Sequence, residues 1–433
     1  MTEMPHVVVV GAGFAGVAVT RELAKRGFRV TVVDRHPYNT FQPLLYQVAT
    51  GGLNAGDVTY SLRFLSAKNK ANFRRTKVVG IDHDHNEVIC DDGVRIPYDY
   101  LVLGTGITTN HFGIPGAAEY TMSMYTRAEA LKVRDTIFGG LENIAGTSHP
   151  GTGGFTVVVV GGGPTGVEMA GSLAELKDSA IPTTYPELDP KKVHVVLVEM
   201  ANALLLPFDE KLQRYTLSEL VKRGVDVRLR TALSEVHPDH VVFKDGNRLD
   251  VDLVIWAAGV SGSKELNDWG VPIGRGGRIE VGTDCRVKGF DNVFAIGDVA
   301  LITENPLPQL AQPAIQEGKF VARQIGRLVN GEDTEEFHYF DKGTMATIGN
   351  RAAVLQLPNG FKMTGTFAWL GWIVLHIAYL LGGRNRVQTL VNLAARYATW
   401  PRRAGAIVGD VNETPQQAKV KASKKKEQLS QRS

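Results

Sequence analysis

The chain has 433 residues, of which 43% are hydrophobic and 21% charged, with 47 glycines and a formal net charge of +3. That length supports two or three domains with substantial cores, in a composition otherwise ordinary for a soluble α/β protein. The two cysteines, Cys90 and Cys285, lie far apart without a Cys-x-x-Cys, which excludes a dithiol relay and a cysteine-ligated zinc or iron–sulfur site.

The net charge hides an asymmetry. Residues 384–433 hold 11 Lys/Arg against 3 Asp/Glu, a local net of +8, whereas residues 1–383 carry a net of −5. The basic end is the part suited to an anionic surface. Two thiols at this size fit a reducing cytosol, with both expected as packing residues. The first strand pattern begins a few residues after Met1. No basic, apolar leader is expected, and exported or organellar readings are disfavoured.

Four consecutive valines, Val7 to Val10, run into Gly11-Ala12-Gly13-Phe14-Ala15-Gly16, and a helical segment follows from Val17 to Lys25. A continuous apolar run is the pattern of a buried parallel strand. Gly11 permits the tight turn, Gly13 lets a pyrophosphate approach the backbone, and Gly16 lets helix and strand pack closely. A second strand, Phe28 to Val33, ends in Asp34, 18 residues after Gly16. A carboxylate there accepts hydrogen bonds from a ribose 2′-OH. Together these parts predict a dinucleotide site, with its phosphates on the helix N-terminus.

The uncharged stretch from Tyr38 to Leu53 is expected to pack on something, either the core or a flat ligand such as a flavin. Arg75 to Asp84 and Glu87 to Cys90 read as strands, with a turn at Asp91-Asp92-Gly93. Tyr98 to Leu103 is an apolar strand ending in Gly104-Thr105-Gly106, small residues that admit a ligand to the backbone.

The opening pattern then repeats. Phe155 to Val160 leads into Gly161-Gly162-Gly163-Pro164-Thr165-Gly166, a helix from Val167 to Leu176, and a strand, His194 to Val198, ending in Glu199. Two such units about 150 residues apart are far more specific than one. No Arg follows Glu199 to pair a 2′-phosphate, which favours NAD over NADP. Val251 to Trp256 ends in Ala257-Ala258-Gly259, echoing Gly104-Thr105-Gly106. Asn292 to Ile296 runs into Gly297-Asp298; the Asp is either a cap or turn residue or a partner for a ribityl hydroxyl or pyrophosphate. Gln312 and Gln316 lie four apart and share a helix face. They suit the polar edge of a ligand or a solvated helix start.

Residues 363–383 carry no charge. The run is shorter than a spanning helix and contains His376, so burial or an interfacial position is expected. In a second helical pattern Val387, Leu390, Val391, Ala394, Tyr397 and Ala398 share one face, and Gln388, Thr389, Asn392, Arg396 and Thr399 the other. Tyr397, Trp400, Arg402 and Arg403 favour an interfacial anchor. From Asp410 the chain is polar and Lys-rich, with disorder expected.

Taken together, the two Gly-x-Gly-x-x-Gly halves, Phe41-Gln42-Pro43-Leu44-Leu45-Tyr46-Gln47-Val48-Ala49, Gly297-Asp298, the Ala-Gln-x-Ala-x-Gln run and Arg384-Asn385-Arg386 resemble type II NADH:quinone oxidoreductases. This is the single-subunit, non-proton-pumping NADH dehydrogenase family. The resemblance spans residues 5 to about 408. It implies an α/β fold with two Rossmann-like domains, one for FAD and one for NADH, and a C-terminal membrane-attachment region of amphipathic helices.

The implied layout is an FAD domain in two parts (1–112 and 266–330), an NADH domain (113–265), a membrane-attachment and dimerisation region (331–410) and a basic tail (411–433). FAD would meet Gly11, Gly13, Phe14, Ala15, Gly16, Asp34, Arg35, Leu44, Val78, Thr105, Gly106, Asp298 and Gln312. NADH would meet Gly161, Gly163, Pro164, Thr165, Gly166, Glu168, Glu199, Ala258 and Gly259. Glu168, Gln312 and Gln316 are the implied catalytic residues. Glu168 matches an acid near nicotinamide and flavin, although a helix N-terminus favours an acid there in any case. Gln312 and Gln316 match quinone-pocket residues. Asp34 is a departure, since many members carry Glu.

The resemblance also implies a homodimer on an anionic membrane surface at the cytoplasmic face of the cell membrane, a membrane quinone as acceptor, no metal and no nucleic acid. A sulfide:quinone oxidoreductase would need redox cysteines beside the flavin. A flavin-containing NADH sensor or docking protein is the alternative of a different class.

Overall fold

The computed structural model describes residues 4–145 and 154–399. In chain order the principal elements begin with β1 (His6–Val10), α1 (Phe14–Lys25), β2 (Arg29–Asp34), α2 (Leu45–Ala49), β3 (Asn72–Arg75) and β4 (Val78–Asp82). Next come β5 (Glu87–Cys90), β6 (Arg95–Pro97), β7 (Tyr100–Leu103), β8 (Met122–Ser123), α3 (Arg127–Ala145), β9 (Phe155–Val160) and α4 (Pro164–Glu175). The chain continues through β10 (Val193–Val198), β11 (Val225–Arg228), β12 (Leu253–Trp256), β13 (Val293–Ala295) and α5 (Ala311–Val329). It ends with β14 (Thr344–Gly349), β15 (Ala352–Gln356), β16 (Lys362–Thr364), α6 (Gly365–Tyr379) and α7 (Gly383–Thr399).

These elements form two compact units. The first joins the chain up to Thr40 with Tyr60–Thr108 and Val260–Lys342. Its sheet has the order β13-β7-β1-β2-β3, parallel throughout. The valines of β1 are at most 4% exposed, as expected for a strand covered on both faces. α5 packs on α1 at Gly318, where a Cβ would stand 2.5 Å from the Ala15 carbonyl oxygen. Only a residue without a side chain permits that approach.

The second unit joins Phe41–Thr59, Thr109–Gly259 and the chain from Gly343. Its sheet repeats the plan, parallel in the order β8-β12-β9-β10-β11. α4 lies against β14, where a Cβ on Gly171 would come 2.0 Å from the Ile348 carbonyl oxygen.

The division differs from the one expected. Residues 41–59 join the second unit because α2 packs on α3 and α4. Residues 331–342 stay with the first, tied by bonds such as the Glu335 N–H to Gln324 Oε1 (2.8 Å). From residue 343 the chain belongs to the second, its antiparallel β14-β15-β16 sheet resting on α4. Arg75 to Asp84 is also not one strand. β3 ends the parallel sheet, and β4 begins an antiparallel sheet with β5 and β6. The chain turns at Thr76, whose hydroxyl donates to Asp91 Oδ1 (2.6 Å).

Among the described residues no helix is long and apolar enough to cross a membrane. α6 turns Trp369 and Trp372 inward and leaves Phe367 (77%) and Val374 (69%) exposed. α7 reverses the usual amphipathic arrangement. Its polar Thr389 and Arg396 are buried, while Val387, Leu390 and Val391 are 50–64% exposed. Trp400, Arg402, Arg403 and the Lys-rich tail lie outside the described residues.

Candidate functional site

In the first unit, Gly11 takes φ +92°, and a Cβ on it would stand 2.4 Å from the Gly104 carbonyl oxygen. A Cβ on Gly16 would stand 1.9 Å from the Gly11 oxygen. Gly13 is the opposite case: nothing lies within 4 Å of its Cβ position, and no side chain caps α1. The result is open space over a helix N-terminus, the geometry that accepts phosphate. Phe14, Ala15 and Gly16 form the first turn of α1, with Ala15 and Gly16 buried.

Asp34 ties the loop to the strand end. Its Oδ2 accepts from the Ala12 N–H and its Oδ1 from the His36 N–H, both at 2.8 Å. Burial pushes its carboxyl up, and the two N–H groups pull it down. Each carboxylate oxygen keeps a lone pair for a ribose hydroxyl. Thr105 is exposed, and Gly106 (φ +69°) has open space at its Cβ position. Arg35 is exposed, Val78 lies in the unit's core, and Leu44 is fully buried in the second unit.

Gly297 (φ +72°) presents Asp298, whose carboxyl burial pushes up to about 6 against the pull of Arg278. Arg278 Nε donates to the Asp298 carbonyl (3.0 Å), and its Nη2 donates to that of Ala300. Glu317, which the sequence reading passed over, is 3% exposed, accepts from the Gly297 N–H and is pushed by burial to about 7. Gln312 is half-buried in the first turn of α5. The Gln316 amide clasps the Phe340 backbone, Nε2 donating to its carbonyl (2.9 Å) and Oε1 accepting from its N–H (3.0 Å).

The second unit repeats the cradle. Gly161 takes φ +113°, and a Cβ on it would stand 2.8 Å from the Ala258 nitrogen. Gly166 closes on the Gly161 oxygen, Gly163 is open, and no side chain caps α4. Pro164 and Thr165 are exposed in the first turn. Glu199 Oε2 accepts from the Gly162 N–H (2.5 Å) and Oε1 from the Ala201 N–H (2.7 Å), the arrangement Asp34 makes in the other unit. Gly259 takes φ +67°, and a Cβ on it would stand 2.9 Å from the Asn110 carbonyl oxygen, so this turn too favours glycine.

Glu168 lies just past the first turn of α4, half-buried; it accepts from the Thr347 N–H (3.3 Å), and its carboxyl is pushed by desolvation from 4.5 to about 8. A small cavity beside it is lined by Tyr46, Glu175 and Arg396 among others. Sequence reading placed Arg396 on the polar face of its helix without a partner. Its partners, Glu175 and Gln47, lie 221 and 349 residues away. Cys90 and Cys285 are free and buried, and no metal-binding cluster occurs among the described residues.

Two parallel sheets, each feeding an uncapped helix through a glycine turn tied to an acid, define a flavoprotein oxidoreductase of the two-dinucleotide class. The family model for pyridine nucleotide-disulphide oxidoreductases matches residues 5–318. The type II NADH:quinone oxidoreductase Ndh of Mycobacterium tuberculosis is 33% identical over 430 residues, covering 95% of this chain and 91% of that protein. The type II NADH:quinone oxidoreductase of Staphylococcus aureus is 33% identical over 365 residues, covering 80% and 88%. NDH2 of Plasmodium falciparum, solved in complex with NADH, superposes with a TM-score of 0.85 at 20% identity, covering 93% of this chain and all of that one. The chain belongs to the type II NADH:quinone oxidoreductases.

Proposed function

We propose that this oxidoreductase carries FAD on the first unit's cradle, binds NADH on the second unit's, and passes two electrons to a membrane quinone without pumping protons. When bound, FAD supplies the hydride-accepting and electron-transferring chemistry. The residues present fit it: open space at Gly13, an uncapped α1 and spare acceptor capacity on Asp34. Phe14 to Gly16 receive the pyrophosphate, Asp34 the ribose, and Thr105, Gly106 and Asp298 the flavin side. Glu199 takes the NADH ribose.

Quinone reduction consumes two protons. Glu168, raised to about 8, holds a proton at neutral pH and serves as a donor. Gln312 orients the quinone, and Gln316 supports quinone reduction through its clasp on the Phe340 backbone. The doubled cradle carries this reading, because a single nucleotide substrate needs only one. The absence of a cysteine pair disfavours the sulfide-oxidising relative.

We further propose that α6 and α7 rest on the cytoplasmic face of the membrane, where a second copy also pairs. Their outward Phe367, Val374, Val387, Leu390 and Val391 support this, with Arg384 and Arg386 exposed at the start of α7 for anionic headgroups. The test is the absorption spectrum of purified protein before NADH, after NADH and after quinone. Flavin bands that bleach and then return, with steady turnover, are expected. FAD-loaded protein without quinone-dependent turnover would mark a sensor instead.

A further inference from the structure

The inward face of α7 is polar, and its bonds run to distant parts of the same unit. Asn385 Nδ2 donates to the Thr59 carbonyl (2.6 Å), and Asn392 Nδ2 to Asp57 Oδ2 (2.7 Å). Deepest of these is Arg396, whose side chain is 4% exposed. Its Nη2 pairs with Glu175 Oε2 at 3.2 Å, at the last residue of α4, and its Nη1 donates to Gln47 Oε1 at 3.2 Å. A Cβ on Gly52 would stand 1.7 Å from Nη1, so the chain leaves this space to the guanidinium. A cation this deep is held only where its donors are used.

From Arg396 a continuous line of hydrogen bonds leads to Glu168. By donating to Gln47 Oε1, Arg396 fixes which way that amide points. Gln47 Nε2 then donates to the Tyr46 hydroxyl (3.0 Å), which leaves the Tyr46 proton for Thr347 Oγ1 (3.1 Å). The Thr347 N–H donates to Glu168 Oε1 (3.3 Å). The cavity beside Glu168 is bounded by α2, α4, β14, α6 and α7 through Tyr46, Ser172, Thr347, Trp369 and Arg396.

We propose that Arg396 is a positioning residue for quinone reduction: it clasps α7 to the end of α4, so that the last two helices seal the Glu168 cavity from water. The inference rests on reading Glu168 as the proton donor. Burial is the largest cause of its raised proton affinity, so the seal sets that affinity. The titratable groups around the cavity are Tyr46 from α2, Glu175 from α4, and Arg396 and Tyr397 from α7. From α6, His376 stacks on Trp372 and is pushed by burial down to about 4, so it is neutral across the working range. Tyr46 and Tyr397 are both raised by burial, and Glu175 is the ion-pair partner of Arg396, which leaves Glu168 as the cavity's carboxyl without a cationic partner.

The decisive variant is Arg396→Ala/Glu175→Gln in the full-length, FAD-loaded protein. It removes both charges of the pair together, so the charge balance near Glu168 holds and the seal alone is lost. Two readouts apply: hydrogen exchange across residues 383–399, and infrared titration of the carboxyl band that Glu168→Gln abolishes. Exchange is expected to accelerate at least tenfold, roughly, and the midpoint to fall by about one unit or more. Arg396→Lys should recover part of both. An unmoved midpoint, with or without faster exchange, overturns the proposal. Should the double variant fail to fold, Gly52→Ala displaces the guanidinium while changing no charge, and unaltered exchange there overturns it equally. If Glu168→Gln keeps full quinone turnover, the donor reading falls, while the infrared midpoint still decides the role of Arg396.

Discussion

Replacing Glu168 with Gln keeps the side chain's shape and removes its proton equilibrium. Burial moves this carboxyl from 4.5 to about 8, opposed more weakly by the hydrogen bond from the Thr347 N–H. A raised folded value means that the fold favours the protonated form. The associated stability is complete below the unfolded value and is lost as pH rises through 8. At 1.36 kcal/mol per unit, a shift of this size corresponds to about 4–5 kcal/mol between those limits, an upper bound where water enters and relaxes the site. Gln is neutral throughout, and its carbonyl still accepts from the Thr347 N–H. The variant is therefore expected to match the parent within about 1 kcal/mol near pH 5 and to exceed it by about 2–4 kcal/mol near pH 9. Calorimetry of the FAD-loaded protein at both values reads this as a Tm gap that opens by several degrees on the alkaline side. A gap of equal size at both values would refute burial as the cause.

Asp34→Ala removes the ribose acceptor and the ties to Ala12 and His36, so FAD affinity should fall about ten- to a hundredfold in a fluorescence titration of apoprotein; unchanged retention would count against the assignment. Glu199→Ala should raise the KM for NADH about tenfold and narrow the preference over NADPH, read by steady-state kinetics with each nucleotide. Gln316→Ala loses the clasp on Phe340 and should lose quinone reduction while NADH still bleaches the flavin; failed bleaching would place Gln316 elsewhere in the reaction. Exchanging Val387, Leu390 and Val391 for Glu should release the protein from membranes in a flotation assay, and continued tight association would remove α7 from the attachment surface.

What was legible in the chain followed from local sterics. A Cβ cannot coexist with the Gly104 oxygen beside Gly11 or the Ala258 nitrogen beside Gly161, so the glycine spacing shows at once. Both sheets are parallel and covered, so their strands appear as unbroken valine runs. What stayed hidden depends on partners distant in sequence. Arg396 sits in a stripe with Thr389 and Asn392 that looks like a solvated face. Only the fold brings Gln47, Asp57 and Glu175 beneath it. Glu317 is a similar case, an acid between Gln316 and Gly318 that gains meaning from the Gly297 N–H.

The repeated cradle raises the question of what makes one unit suited to a resident cofactor and the other to a ligand that must leave. The glycine turns and acids are nearly interchangeable: Asp34 holds Ala12 and His36 as Glu199 holds Gly162 and Ala201. The difference lies in the turn each unit adds. The first unit supplies Gly297-Asp298, gripped by Glu317 at the Gly297 N–H and by Arg278 at the Asp298 and Ala300 carbonyls. Arg278 thus uses its donors on backbone oxygens, which keeps the Asp298 carboxylate from being neutralised by a bidentate pair. The corresponding edge of the second unit is the apolar turn Ala257-Ala258-Gly259, pressed against the Phe112 ring. A braced acidic turn adds a directional contact, and with it residence time; a turn of small apolar residues adds only shape. That physical difference supports the proposal that FAD occupies the first unit and the exchangeable nicotinamide the second.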